Sequence, residues 1–225
     1  MSAWPAARNA AASSGACAGR LAAAGMCGSV AVMGEKRSPV GRDLSDATYN
    51  RSVRFEAISL LTARLLLRPE APGDEAALVA GLGDREVQRW LETVPHPYTL
   101  EHARDWIARS ARERDAGFMQ GFAITLADGG ALVGGVAFTP ARLEPTAELG
   151  YWIARSHWGR GYGGEALARV VRHATEECAP RFERLRARVA PDNVASRRML
   201  ARLGFVERGT STDNGVERLV YWLQA

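Results

Sequence analysis

Four glycines separate a tryptophan from an apolar helical stretch in HWGRGYGGEAL, residues 157–167. Backbone without Cβ atoms at a helix start lets unpaired N–H groups converge on one point, where the helix dipole favours an anion. The chemistry this predicts is phosphate binding by Gly159, Arg160, Gly161, Tyr162, Gly163 and Gly164. Gly159, Gly161 and Gly164 also satisfy G-x-G-x-x-G, the spacing of a dinucleotide-binding turn. At this level NAD and another pyrophosphate-bearing cofactor are both open. A turn that binds nothing is the third reading, but four glycines in six residues exceed what a turn requires.

A second candidate is Glu148, the acid in the otherwise apolar run AELGYWIA, residues 147–154. Strand alternation puts it on the face of Gly150 and Trp152, and a carboxyl in such surroundings suits proton acceptance as a general base. A solvated edge residue, or a carboxylate that only orients a substrate, are the alternatives. Tyr151 points the other way and reads as packing. His157 in the loop and His173 on a helix flank can titrate near neutral pH but read as solvated surface. Trp90 and Tyr98 suit either the wall of a substrate site or the core. Cys17, Cys27 and Cys178 have an odd count and no ligand spacing, so neither a metal site nor a disulfide framework is expected, and a reducing cytoplasm is.

These groups need elements to hold them. Leu65–Leu67 is a short strand ended by Pro69, Asp74 opens a helix, a shorter helix breaks at Pro95 and Pro97, and Thr99 caps a helix over about residues 100–115. Three apolar runs follow, GFAITLA, ALVGGVAFT and AELGYWIA, the first two joined through Asp128, Gly129 and Gly130 as a hairpin. This meander leads directly into the glycine loop. Beyond it, Ala166, Leu167, Val170, Val171 and Ala174 share one helical face, and RLRARVA is a strand. Asn193 caps a helix that stops at Gly204, and FVERGT and RLVYWL pair as a closing hairpin.

The order is incompatible with a doubly wound NAD fold, because a meander precedes the loop and one helix remains after the next strand. The acid expected about 20 residues past the loop does not decide the matter. Glu183 falls before the strand and Asp192 beyond its far end.

The chain has 225 residues, 47% hydrophobic and 24% charged, enough for one sizeable domain. Residues 1–57 are alanine-, glycine-, serine- and arginine-rich and are expected to be a disordered leader, leaving 58–225 as the folded domain. Residues 1–34 contain arginine but no acid, which fits either a targeting segment or a leader ahead of a later start such as Met33. The first 56 residues hold seven basic and four acidic side chains, so about one unit of the +4 net charge belongs to the remainder. That gives no basic face for nucleic acid and, with no long uncharged apolar run, no membrane span.

Residues AELGYWIARSHWGRGYGGEALARVVRHA, followed by RVAPDNVASRRMLARLGF and preceded by TARLLLRP, resemble the GNAT superfamily of acetyl-CoA-dependent N-acetyltransferases. The branch they resemble includes the ribosomal-protein alanine and serine N-terminal acetyltransferases. The resemblance implies an α/β fold with a mixed, mostly antiparallel, splayed sheet of about six to seven strands and helices on both faces. It implies acetyl-CoA as co-substrate, no metal, and an amine acceptor, a peptide N-terminus or a small molecule, on a monomer or homodimer. It assigns the pyrophosphate to the glycine loop, although Trp158 departs from the family's Gln or Arg at the first loop position. It assigns the pantetheine arm to the strand end at Trp152, Ile153 and Ala154 and to Asn193. Ser196 becomes the group near the thioester sulfur. An acyl-CoA sensor without catalysis would carry the same loop.

Overall fold

The computed structural model describes residues 54–91, 93–141, 144–178, 181–213 and 215–224. Nearly all of the expected leader, residues 1–57, lies outside them. Among the described residues one sheet of eight strands runs in the order β1-β2-β3-β4-β5-β6-β8-β7. The strands are β1 (Leu60–Leu61), β2 (Leu65–Arg68), β3 (Gln120–Leu126), β4 (Leu132–Pro140), β5 (Thr146–Ile153), β6 (Arg184–Val189), β7 (Val206–Asp213) and β8 (Val216–Gln224). The two-residue β1 is the strand the sequence did not predict; it is too short to carry a period.

Every neighbouring pair is antiparallel except β5 and β6, whose parallel pairing covers Thr146↔Arg184, Ala147↔Leu185 and Glu148↔Arg186. Past Glu148, β5 continues paired with β4 to Ile153, while β6 continues paired with β8 to Val189. The two strands therefore part, and β5 presents an open edge toward a widening gap. With a single parallel pair, the described residues form no doubly wound sheet of the kind that binds NAD.

Alternation along the strands sends side chains to two cores. Leu65, Leu67, Phe122, Phe138 and Leu149 pack with Leu167 and Val170 of α4 (Tyr162–Arg172) and Leu200 of α5 (Val194–Arg202). On the other face Ala137 and Trp152 pack with Leu78 and Leu82 of α1 (Glu75–Leu82) and with Ala103, Trp106 and Ile107 of α3 (Leu100–Asp115). A one-turn helix, α2 (Arg85–Gln88), lies between α1 and α3. Thr99 caps α3 by accepting from the His102 N–H, and Gly204 ends α5 with φ +86°.

Asp74 opens α1 as expected, its carbonyl accepting from the Leu78 N–H at 2.9 Å, while its carboxylate accepts from Arg68 at 2.7 and 2.8 Å and from the Ala71 N–H at 2.9 Å rather than from the helix start. One expectation needs correction. His173 is not solvated: it is 7% exposed, with its ring against Phe122 and Phe138. Lying seven residues after Ala166 and three after Val170, both buried, it falls on the inward face of the helix, which continues through Ala174 in a looser turn, His173–Glu177.

Candidate active site

The glycine loop joins β5 to α4 through a single tight turn, Arg155–His157. Gly159 and Gly161 have φ +74° and +81°, the left-handed region, and Gly161 is the residue before the first helical position of α4. Gly163 eases close packing instead. A Cβ there would stand 3.2 Å from Met199 Sδ and 3.3 Å from Ile153 Cγ1, so a larger residue would have to push these side chains back by a few tenths of an ångström. The exposed residues Trp158–Gly161 lead straight into the first turn of α4, whose main-chain N–H groups have no partner within the helix, with Arg160 beside them.

Trp158, which stands where the family pattern has Gln or Arg, is tied down by its indole N–H, which donates to the Ile153 carbonyl at 2.7 Å. His157 is half-buried, and burial and then the neighbouring Arg160 charge lower its pKa.

The open edge of β5 begins at the same point. Ala154 N–H donates to the Val133 carbonyl, its own carbonyl accepts from His157, and the Trp152 carbonyl lies against Gly134 in β4. By ladder alternation, the main-chain groups facing the gap are those of Tyr151 and Ile153. In this register the Trp152 and Ala154 main-chain groups are engaged with β4 and the tight turn, and of the gap-facing groups the Ile153 carbonyl already accepts from the Trp158 indole N–H. Trp152 instead commits its indole, 7% exposed, to the core with α1 and α3.

Across the gap, Asn193 caps α5 by accepting from the Ser196 N–H at 3.1 Å. That places Ser196, 7% exposed, where its hydroxyl shares a short hydrogen bond with the Tyr151 hydroxyl. The sequence reading of Tyr151 as simple packing missed this pair. The two residues lie 45 positions apart and meet only because α5 docks on the face of β5 opposite Glu148.

Glu148 lies at the vertex where β5 and β6 part. It is not an isolated acid in an apolar strand: Arg186 Nη2 donates to Oε2 at 2.5 Å and Arg188 Nε donates to Oε1 at 2.7 Å. The signal was present in RLRARVA, where alternate arginines share one face of a strand. What could not be read was that this strand would run parallel to β5 with Arg186 opposite Glu148.

Behind Trp152, under α3, a further carboxylate went unnoticed. Glu70 accepts from Ser110 Oγ at 2.8 Å and from the Trp106 indole at 3.4 Å, and burial pushes its pKa up. Tyr98 is buried in the same core, its pKa raised by burial and then by the Glu70 charge. Trp90 is half-buried, with Arg89 stacked 4.4 Å over its ring. No group of three His, Cys, Asp or Glu among the described residues could hold a metal ion, and none of their helices is long and apolar enough to cross a membrane.

The splayed mixed sheet, with a glycine turn following its open-edged strand, is the architecture expected from the resemblance to acetyl-CoA-dependent N-acetyltransferases. Residues 64–206 match the Acetyltransferase (GNAT) domain family, and the chain belongs to it. The N-acetyltransferase p20 of Bacillus licheniformis is 28% identical over 156 residues, covering 69% of this chain and 86% of the relative. The ribosomal-protein-serine acetyltransferase of Escherichia coli is 36% identical over 81 residues, 35% of this chain and 43% of that protein. Among solved structures, Mycobacterium smegmatis RimJ in complex with CoA-disulfide superposes with a TM-score of 0.64 at 26% identity, covering 72% of this chain and 82% of that one.

Proposed function

We propose that the protein transfers the acetyl group of acetyl-CoA directly, without an acyl-enzyme, to a primary amine at a protein N-terminus. The observation that carries this reading is the open edge of β5, which runs from the glycine turn to the Ser196–Tyr151 pair. An extended, amide-bearing pantetheine arm can add to such an edge as a strand would, through Tyr151 and Ile153, with its pyrophosphate on the loop of residues 159–164. Asn193, whose side chain caps α5 beside the gap, contributes on the opposite wall.

The amine approaches from the face shared by Glu148 and Trp152, and the thioester lies on the Ser196 side. The amine lone pair attacks the carbonyl carbon, the C–N bond forms and the C–S bond breaks. The departing sulfur takes the Ser196 proton, Tyr151 replaces it, and Tyr151 in turn recovers a proton from water. Both Glu148 oxygens already accept guanidinium N–H groups but retain further lone pairs. Its role in this scheme is to orient the acceptor amine, whose surplus proton leaves to water. Positioning supplies most of the acceleration.

An N-terminal acceptor is favoured by the similarity to the ribosomal-protein-serine acetyltransferase. The test is thiol release from acetyl-CoA with peptides beginning in serine or alanine, set beside polyamines and aminoglycosides. Turnover of free peptides and none of N-terminally blocked ones supports the reading; turnover confined to polyamines or aminoglycosides, or no turnover of any amine, refutes it.

A further inference from the structure

The segment TARLLLRP contains a polar turn whose bonds converge on the glycine loop. Residues 62–64 connect β1 to β2, and the turn closes on itself through Leu65 N–H donating to Thr62 Oγ1 at 2.9 Å. Its side chains then reach α4. Thr62 Oγ1 donates to Glu165 Oε1 at 2.6 Å, the Arg64 main-chain N–H donates to the same oxygen at 2.9 Å, and Arg64 Nε donates to Oε2 at 2.7 Å. Arg64 Nη1 donates to the Arg160 carbonyl at 3.0 Å, and the guanidinium carbon lies 4.9 Å from the centre of the Tyr162 ring. Arg64 Nη2 is 3.4 Å from where a Gly161 Cβ would stand. All the groups grasped belong to the glycine turn or to the first turn of α4.

As a salt bridge alone this contact would contribute little, because the Arg64 side chain is 49% exposed. Its geometry does more. In a planar trans peptide the carbonyl oxygen and the following N–H point in opposite directions. Holding the Arg160 carbonyl on Arg64 therefore turns the Gly161 N–H the other way. The same arginine neutralises Glu165, a carboxylate that would otherwise oppose an anion at this helix start. Burial pushes the Glu165 carboxyl up, but hydrogen bonds from Thr62 and Arg64 and the Arg64 charge outweigh it and hold its pKa low.

We propose that Arg64, braced by Thr62 and Glu165, is a positioning residue that holds the Arg160–Gly161 peptide with its N–H presented to the CoA pyrophosphate. This rests on the reading of residues 159–164 as the pyrophosphate cradle. Without the brace the turn samples other peptide orientations, and the apparent affinity falls by the fraction of time the competent one is lost.

The test is calorimetric titration of acetyl-CoA into the full-length protein and its variants Arg64→Ala, Arg64→Lys, Glu165→Gln and Gly159→Asp, with kcat and KM from thiol release. Arg64→Ala weakens acetyl-CoA roughly tenfold, as a competent population of about one in ten requires. KM rises with it, while kcat at saturating acetyl-CoA falls much less. Arg64→Lys does not rescue, since a point charge cannot span Glu165 and the Arg160 carbonyl together. Glu165→Gln also weakens binding, although it removes a negative charge from the anion site.

Parental affinity in Arg64→Lys, or tighter binding in Glu165→Gln, overturns the proposal. Should Arg64→Ala fail to fold by circular dichroism, these two variants decide. Gly159→Asp separates the proposal from the reading beneath it. Aspartate is among the side-chain-bearing residues most often found at left-handed φ, so the strain at φ +74° is the least a charged residue can bring; nothing beyond the chain neighbours lies within 4 Å of the added Cβ, and its carboxylate repels a diphosphate. Unchanged binding in Gly159→Asp refutes the cradle. Lost binding there, with parental affinity in both Arg64 variants, refutes the brace alone.

Discussion

Ser196 of α5 and Tyr151 of β5 share one short hydrogen bond beside the gap where β5 and β6 part, and a double-mutant cycle tests whether they act in series. Ser196→Ala removes the hydroxyl nearest the proposed sulfur position. Tyr151→Phe leaves that hydroxyl but removes the group that replenishes its proton. General-acid assistance contributes about 10²-fold at the low end, about 2.7 kcal/mol of barrier, so each single variant loses about that much kcat. If the two hydroxyls form one relay, the double variant loses about 10² as well; independent action would give about 10⁴. The fold is little affected: Ser196 is 7% exposed, and losing one side-chain hydrogen bond costs about 1 kcal/mol, or roughly 2–4 °C in Tm for a domain of this size. The assay is thiol release at saturating acetyl-CoA, with thermal unfolding of each variant alongside. A double variant near 10⁴ below the parent, or either single variant as active as the parent, would refute the relay.

Glu148→Ala leaves Arg188, 6% exposed, facing an empty position, and breaking such a buried pair costs about 3 kcal/mol, read as a lower urea midpoint. The Arg186 side chain, 41% exposed, adds little because solvent screens it; an unchanged midpoint would show that the vertex pairs are not stabilising. His173 makes stability pH-dependent. Burial lowers its folded pKa despite the Glu177 carboxylate, so the unfolded chain binds the proton more readily. Its contribution is fully present above the unfolded value of about 6.5 and is lost as pH falls through the lowered folded value. Thermal unfolding from pH 8 to pH 5 should show a drop that His173→Gln abolishes; an equal drop in both would assign it to other groups.

Local chemistry made the elements readable. The Asp128–Gly130 turn, the Thr99 and Asn193 caps, the Gly204 stop and the apolar face of α4 each obey rules that operate within a few residues. The glycine loop was legible for the same reason, since left-handed φ and a missing Cβ are properties of single positions. What the sequence could not decide was partnership. Arg186 and Arg188 meet Glu148 only because β6 lies parallel to β5 for three residues before the strands part. Tyr151 meets Ser196 only because α5 docks on one face of β5. Whether Trp152, Ile153 or Ala154 faces the gap depends on which edge of β5 its partner β4 has taken. Periodicity assigns a side chain to a face, but it carries no term for the strand or helix that covers that face. The groups proposed for chemistry were therefore written in the sequence, while their partners, and with them their roles, came from contacts across 38 to 103 positions that only the folded sheet brings together.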